Sequence, residues 1–342
     1  MTCSGRHNKN TWFWKPFCWL TTLIKFLFKL GLIVWAGLAI YYSNLPWIAV
    51  RFSLSITFTL FGIWTLWFAD KPRMLMIYMA LYMGLLVWWS TILPSHDRIW
   101  RPEVAVMPRA IITGDKVRFT GFRNFDYRSR DDFTVRYEER EVSLSHLIGL
   151  DLYISYWTPG PVGHTFLSFI FDNAAPVSIS IETRPEVGEG FSPIGSLFKQ
   201  FELIYVVGDE RDLVRVRTNF RGEKTYLYHI KISSENLRKL FMVYLKRINE
   251  LADKPEFYNL LSNSCTINIL RYANKAGRVG RVDIRHYLNG WIDTYLYAKG
   301  WLKTTIFFEE LRQRSLINRA ARAANKSVRF SQRIRASLPL ND

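Results

Sequence analysis

Gly163-His164-Thr165-Phe166-Leu167-Ser168-Phe169 is the stretch on which the reading turns. A Pro159-Gly160-Pro161 turn precedes it, and its polar and apolar residues alternate, the period-two mark of a strand. His164 therefore starts a strand, on a stiff support at a sheet edge. A second stretch, Asn263-Ser264-Cys265-Thr266, lies just before an apolar helical run that ends near Gly277. A thiol at a helix N-terminus meets the positive end of the macrodipole and free backbone N–H groups, and both favour thiolate. Those N–H groups also suit an oxyanion on an attacked acyl carbon. A nearby histidine would complete activation and return a proton to the leaving group.

A third group usually orients such a base. Glu182 lies in Ser178-Ile179-Ser180-Ile181-Glu182-Thr183-Arg184, one strand-turn-strand after His164. At period two, Ser178, Ser180 and Glu182 share a face. Adjacent antiparallel strands would bring Glu182 to His164. The plainer readings are a structural histidine, an inert buried thiol, and a Glu182 paired with Arg184 or another basic residue.

Around these stretches the alternation recurs at Lys116–Phe122, Phe133–Tyr137, Leu150–Trp157, Val177–Glu182, Leu203–Val207, Leu213–Arg217 and Tyr226–Ile232, which are read as strands. Helices follow. Ser233 or Ser234 caps the first, with Leu237, Leu240, Phe241, Tyr244, Leu245, Ile248 and Leu251 at 3/4 spacing. Another covers about Tyr287–Leu302. The expected class is α+β.

The chain before residue 94 is different. Between Lys29 and Leu93 the only charged residues are Lys29, Arg51, Asp70, Lys71 and Arg73. Three apolar stretches, about Leu23–Tyr42, Pro46–Phe68 and Met74–Leu93, have the length that crosses a bilayer. Arg6, Lys9 and Lys15 precede the first, Lys25 lies near its start, and Lys71 and Arg73 separate the second from the third. Positive-inside logic puts the N-terminus in the cytoplasm and everything after Pro94 on the far side. The expected domains are 1–93 (membrane), 94–302 (thiol domain) and 303–342 (a basic helical tail).

Composition agrees with a membrane part joined to a water-facing part. The 342 residues carry 46 Lys+Arg against 29 Asp+Glu, and 49% are apolar. So many aromatic and apolar residues exclude a disordered chain. Cys3, Cys18 and Cys265 cannot make a disulfide scaffold, and Cys265 is the only thiol in the exported part. The six histidines show no metal spacing, no C-x-x-C occurs, and neither a phosphate loop nor a G-x-S-x-G elbow is present. No metal and no cofactor are expected. Arg319, Arg322 and Lys326 recur in the tail, with Ile317, Ala320, Ala321 and Ala324 on another face. That pattern fits lipid head groups or docking onto the domain. Nucleic acid is a poor fit, since no recognition motif accompanies the charge.

The ordered series Gly163-His164-Thr165-Phe166, Ile181-Glu182-Thr183-Arg184-Pro185-Glu186, Tyr205–Asp212, Arg215–Asn219, Glu256-Phe257-Tyr258-Asn259 and Asn263-Ser264-Cys265-Thr266 resembles the Lnb N-terminal periplasmic domain family. The likeness runs roughly from Pro94-Ser95-His96-Asp97-Arg98-Ile99-Trp100 to the C-terminus. It implies a permuted papain-like fold with an antiparallel sheet, similar to permuted NlpC-type hydrolases and lecithin retinol acyltransferase, the histidine strand preceding the cysteine helix. It also implies a bacterial inner-membrane protein with its main domain in the periplasm. The name-giving Lnb proteins are lipoprotein N-acyltransferases. By the resemblance Cys265 is the nucleophile, His164 the base and Glu182 its orienter. Arg184, Asn263 and Ser264 are candidate binding residues. Ser264 departs from the family pattern, where a second Asn is expected. The implied partners are a phospholipid acyl donor, a lipoprotein acceptor and membrane lipids, with Trp100, Trp157 and Trp291 as interfacial contacts. A peptidase or amidase acting on cell-wall peptides, or a non-enzymatic membrane assembly protein, are the alternatives.

Overall fold

A computed structural model describes residues 15–338. Cys3, Arg6 and Lys9 lie outside the described residues. The chain divides into two compact units, residues 1–93 with 198–200, and the remainder.

The first unit is helical. It holds α1 (Lys15–Tyr41), α2 (Ile48–Trp67) and α3 (Pro72–Thr91), the last opened by a proline in its first turn, where the missing N–H costs no hydrogen bond. Trp19–Tyr41, Ile48–Trp67 and Pro72–Thr91 are each long and apolar enough to cross a membrane. A helix suits that setting because it satisfies its own backbone groups. Small residues let α1 and α2 approach: Ser55 Oγ donates to the Gly37 carbonyl at 2.8 Å.

The second unit is α+β. Its strands are β1 (Arg109–Thr113), β2 (Lys116–Arg123), β3 (Asp126–Tyr127), β4 (Phe133–Thr134), β5 (Tyr137–Ser143), β6 (Leu147–Tyr156), β7 (His164–Phe171), β8 (Val177–Arg184), β9 (Glu202–Asp209) and β10 (Lys224–His229). Its helices are α4 (Glu210–Arg215), α5 (Ser234–Asp253), α6 (Cys265–Lys275), α7 (Ile292–Ala298), α8 (Phe308–Ser315), α9 (Asn318–Ala323) and α10 (Phe330–Arg333). The main sheet runs β1-β2-β9-β8-β7-β6-β10, with β5 also on β2, while β3 and β4 pair apart. The expected antiparallel sheet is in fact mixed, because β2 meets β9 in parallel at Arg123↔Gly208. The backbones approach closely there. A Cβ on residue 208 would lie 2.4 Å from the Arg123 carbonyl oxygen, so only glycine fits.

Apolar residues cover both faces. On one, α5 buries Leu237, Leu240, Phe241, Tyr244, Leu245, Ile248 and Leu251, the residues marked by 3/4 spacing, in one cluster with Leu152, Leu167, Phe169 and Tyr205. Ser233 caps α5, its hydroxyl accepting from the Asn236 N–H. On the other, Tyr153, Phe166 and Leu227 meet Ile317, Ala321, Phe330 and Ile334 from the C-terminal segment. Residues 303–338 thus complete a core. Arg319, Arg322 and Lys326 stay exposed. Arg335 instead reaches inward, to Glu210 at 2.6 Å and Asp151 at 2.8 Å.

Some expectations are corrected. Leu213–Arg217 is not a strand. Asp209 caps α4 by accepting from the Arg211 N–H, and a π-helical turn, Val216–Phe220, continues it. Leu213, Val214 and Val216 bury into three separate clusters, so burial on every side of a helix imitated alternation. Phe133–Tyr137 is interrupted, β4 ending at Thr134 and β5 starting at Tyr137. The helix expected over Tyr287–Leu302 is confined to α7, after a 3₁₀ turn Asn289–Trp291. Trp100 is buried beneath the Arg184 guanidinium, 4.2 Å above its ring, and offers no interfacial contact, whereas Trp157 and Trp291 are exposed.

Candidate active site

The site begins where a ladder ends. β7 pairs with β6 along its whole length, from Ser155↔His164 to Leu147↔Phe171. Its pairing with β8 covers only Phe166↔Ser180 to Phe169↔Val177. On the His164 side of Phe166 the two strands part. The Thr165 backbone N–H and hydroxyl there favour the charged form of the nearby Cys265.

Cys265 is the first residue of α6 and is buried. Ser264, its N-cap, is buried too and makes no side-chain capping bond. Asn263 fixes the approach: its Nδ2 donates to the Phe257 carbonyl at 2.9 Å and its Oδ1 accepts from Asn268 at 2.9 Å. Two contacts hold the helix start to β7. Thr165 and Thr266 share a hydroxyl–hydroxyl bond of 2.8 Å. Asn289 donates to Thr266 Oγ1 at 2.9 Å while its Oδ1 accepts from the Gly163 N–H at 2.8 Å. Gly290 lets that loop press inward, since a Cβ there would lie 2.8 Å from Pro161 and from the Tyr156 ring.

The Cys265 sulfur lies 3.7 Å from Thr266 Oγ1 and 3.8 Å from Asn289 Nδ2, and His164 is near enough to favour its charged form. His164 Nε2 lies 2.7 Å from Ser180 Oγ and 3.7 Å from Glu182 Oε1. Ser180 also hydrogen-bonds Glu182, so hydroxyl and carboxylate form one chain behind the ring. Glu182 is held more tightly from the other side, by Arg217 Nη2 at 2.9 Å. Arg217 in turn reaches Glu223 at 3.2 Å and covers the Phe166 ring.

The electrostatics favour thiolate. Burial pushes the Cys265 thiol up, but the His164 hydrogen bond and charge and the Thr165 donors outweigh it and bring it down to about 6. Burial also pushes Glu182 up, yet Arg217 first and His164 second draw it down to about 2, so it is a carboxylate at neutral pH. Tyr258 stands beside Cys265, close enough for the two to shift each other's titration. Burial, then the sulfur's charge, raises its hydroxyl well above the ordinary tyrosine range, so it remains a protonated donor. A phenol O–H and a main-chain N–H therefore sit together beside the sulfur. Such donors can stabilise charge on an attacked carbonyl oxygen.

His164, Glu182 and Cys265 come together, and Asn263 and Ser264 shape the approach to the thiol. Arg184 does not join the cluster. Its guanidinium donates to the Val104 and Ala105 carbonyls at 2.9 and 2.8 Å and contacts His96. Ser180, Tyr258, Asn289 and Arg217 were not foreseen as site residues. Ser180 shares the Glu182 face at period two, and Tyr258 lies within the Glu256–Asn259 motif. Asn289 carried no local signal. Among the described residues, no group of three or more His, Cys, Asp or Glu side chains is arranged to hold a metal ion.

Fold and site define an α+β domain with a cysteine–histidine pair, in a protein that also has three membrane-length helices. Residues 133–290 match the family described as the Lnb N-terminal periplasmic domain, a span that includes His164, Glu182, Cys265 and Asn289. The match is narrower than the resemblance drawn from Pro94 onward. No curated protein and no solved structure matches the chain.

Proposed function

We propose that the protein is a membrane-anchored thiol acyltransferase. It moves an acyl chain from a phospholipid to the N-terminal amine of a lipoprotein. The supporting observation is the Cys265–His164 pair at the start of α6, with the thiol lowered to about 6. In the first half-reaction the Cys265 thiolate attacks an ester carbonyl of the phospholipid. A C–S bond forms, the ester C–O bond breaks, and His164 gives its proton to the departing lysophospholipid oxygen. In the second, the lipoprotein α-amine attacks the thioester. A C–N bond forms, the C–S bond breaks, His164 takes the amine proton, and the thiolate returns. Tyr258 O–H and the Cys265 N–H would hold the oxyanion in both halves.

An acyl substrate is favoured over a peptide by what lies beside the thiol. Thr165 and Thr266 border a cavity otherwise walled mainly by apolar side chains, among them Leu152, Leu167, Leu270 and Trp301. The helices α1–α3 would tether the domain at a bilayer. The inner membrane, with the N-terminus cytoplasmic and the site on the periplasmic side, is the orientation this chemistry needs.

The test uses membranes holding the full chain, incubated with acyl-labelled phospholipid. Label is expected on Cys265 as a hydroxylamine-sensitive thioester, then on lipoprotein N-termini, and neither is expected in Cys265→Ser. Folded wild type without thioester or transfer would overturn the proposal. Release of free amine from peptidoglycan fragments would favour the amidase instead. Intact cellular function in Cys265→Ser would make the motifs structural.

A further inference from the structure

Glu182 has a second neighbourhood. The carboxylate that backs His164 also borders a polar cavity of about 110 Å³ that His164 does not line. Among the described residues, Arg101, Arg123, Arg217 and Arg221 line it, against the carboxylates of Glu103 and Glu182. Asp212 and Glu223 pair with Arg123 and Arg217 without lining it. The volume suits several waters or one tetrahedral oxyanion. We infer that this cavity binds a phosphate group that carries an O–H, either its own or that of a neighbouring hydroxyl.

Three observations carry this. Arginine forks match phosphate oxygens, and four of them converge on one small space. They are unequally matched. Arg123 has a two-bond contact with Asp212, at 2.9 and 2.8 Å, and Arg217 reaches two carboxylates. Among the described residues, Arg221 pairs with Glu223 alone, at 3.8 Å. Burial and the like charge of Arg217 lower Arg221 from its ordinary value, so its charge is the least compensated in the cluster. Finally, the two wall carboxylates, Glu103 paired with Arg101 at 2.8 Å and Glu182 with Arg217 at 2.9 Å, keep acceptor lone pairs and would repel a bare anion. They are suited to an O–H on the ligand, as in hydrogen phosphate or a glycerol phosphate.

The cavity is linked to the thiol through Arg217. An anion that takes an Arg217 N–H loosens the 2.9 Å Glu182–Arg217 contact and frees Glu182 toward His164, now 3.7 Å away. This coupling rests on the Cys–His reading above, whereas phosphate binding does not.

The experiment titrates the full chain, in detergent, with inorganic phosphate and separately with glycerol 3-phosphate, using chloride as the control. Heat of binding and thermal stabilisation are both read. Saturable binding beyond chloride is expected, weakened about tenfold in Arg221→Gln, as loss of a charged hydrogen bond implies, and less in Arg101→Gln. Equal affinities would assign the site to free phosphate. Tighter glycerol phosphate would assign it to a lipid headgroup. Absence of saturable binding, or binding unchanged in both variants, would overturn the inference. If Arg221→Gln does not fold, Arg221→Lys keeps the charge, loses the fork, and takes its place with the same expectation. Binding that persists while acyl transfer fails would count against the acyltransferase alone.

Discussion

Two histidine–carboxylate pairs stand on the same sheet, and they are built differently. His229 on β10 faces Asp151 on β6 directly across an intact ladder, with Nδ1 and Oδ1 2.5 Å apart. Asp151 is almost fully buried, and Arg335 holds its other oxygen. The imidazole Nδ1 and both carboxylate oxygens there are committed. His164 starts β7 where the β8 ladder has already stopped, so Glu182 lies 3.7 Å away and Ser180 stands between. Its ring is backed rather than locked, and it stands near the thiol on α6. An intact ladder makes a fastener. A ladder that ends lets a third element reach a strand's side chains.

The comparison can be broken most severely at the rings. In His164→Ala the thiol loses its principal lowering partner while burial still opposes charge. The pH midpoint of Cys265 alkylation should rise from about 6 by about two units or more. In His229→Ala it should stay put. Equal shifts in the two variants would erase the distinction.

The converse appears in stability. Asp151→Asn leaves Arg335 short of a buried partner and should cost about 3–5 kcal/mol in denaturant unfolding. The alkylation midpoint should remain near 6. A stable variant with a shifted midpoint would reverse the assignment.

Glu182→Gln sharpens the contrast through pH. Glu182 is lower folded than unfolded, so its contribution is complete above the ordinary carboxylate range and is lost as pH falls toward about 2. Wild type should exceed the variant by about 2–3 kcal/mol at neutral pH, with the gap closing below about pH 5. A constant gap in unfolding experiments would mean the charge is not what matters. Ser180→Ala should have the smallest effect, about a threefold fall in alkylation rate at neutral pH, from a looser ring rather than a lost base. A full collapse to the His164→Ala profile would make Ser180 indispensable.

Much of this was legible from residues alone. The three apolar helices are local facts of hydropathy. His164 at a strand start and Cys265 at a helix start follow from turn and capping signals a few residues away. Leu213–Arg217 misled because burial into three clusters gave a helix the alternation of a strand. Arg184 sits one face-step beyond Glu182 on β8, yet its guanidinium turned to the carbonyls of Val104 and Ala105. Nothing near Arg184 in the chain announces them.

The sequence by itself determined which segments are membrane-length helices, most of the strands of the central sheet, and where a thiol and an imidazole begin their elements. These depend on hydropathy and on backbone groups a few positions apart. Only the tertiary structure decided that β7 and β8 part on the His164 side of Phe166, that Asn289 ties the Gly163 turn to α6, and that Arg217 competes with His164 for Glu182. Those outcomes depend on strand register and on contacts between residues far apart in the chain, which no local pattern encodes.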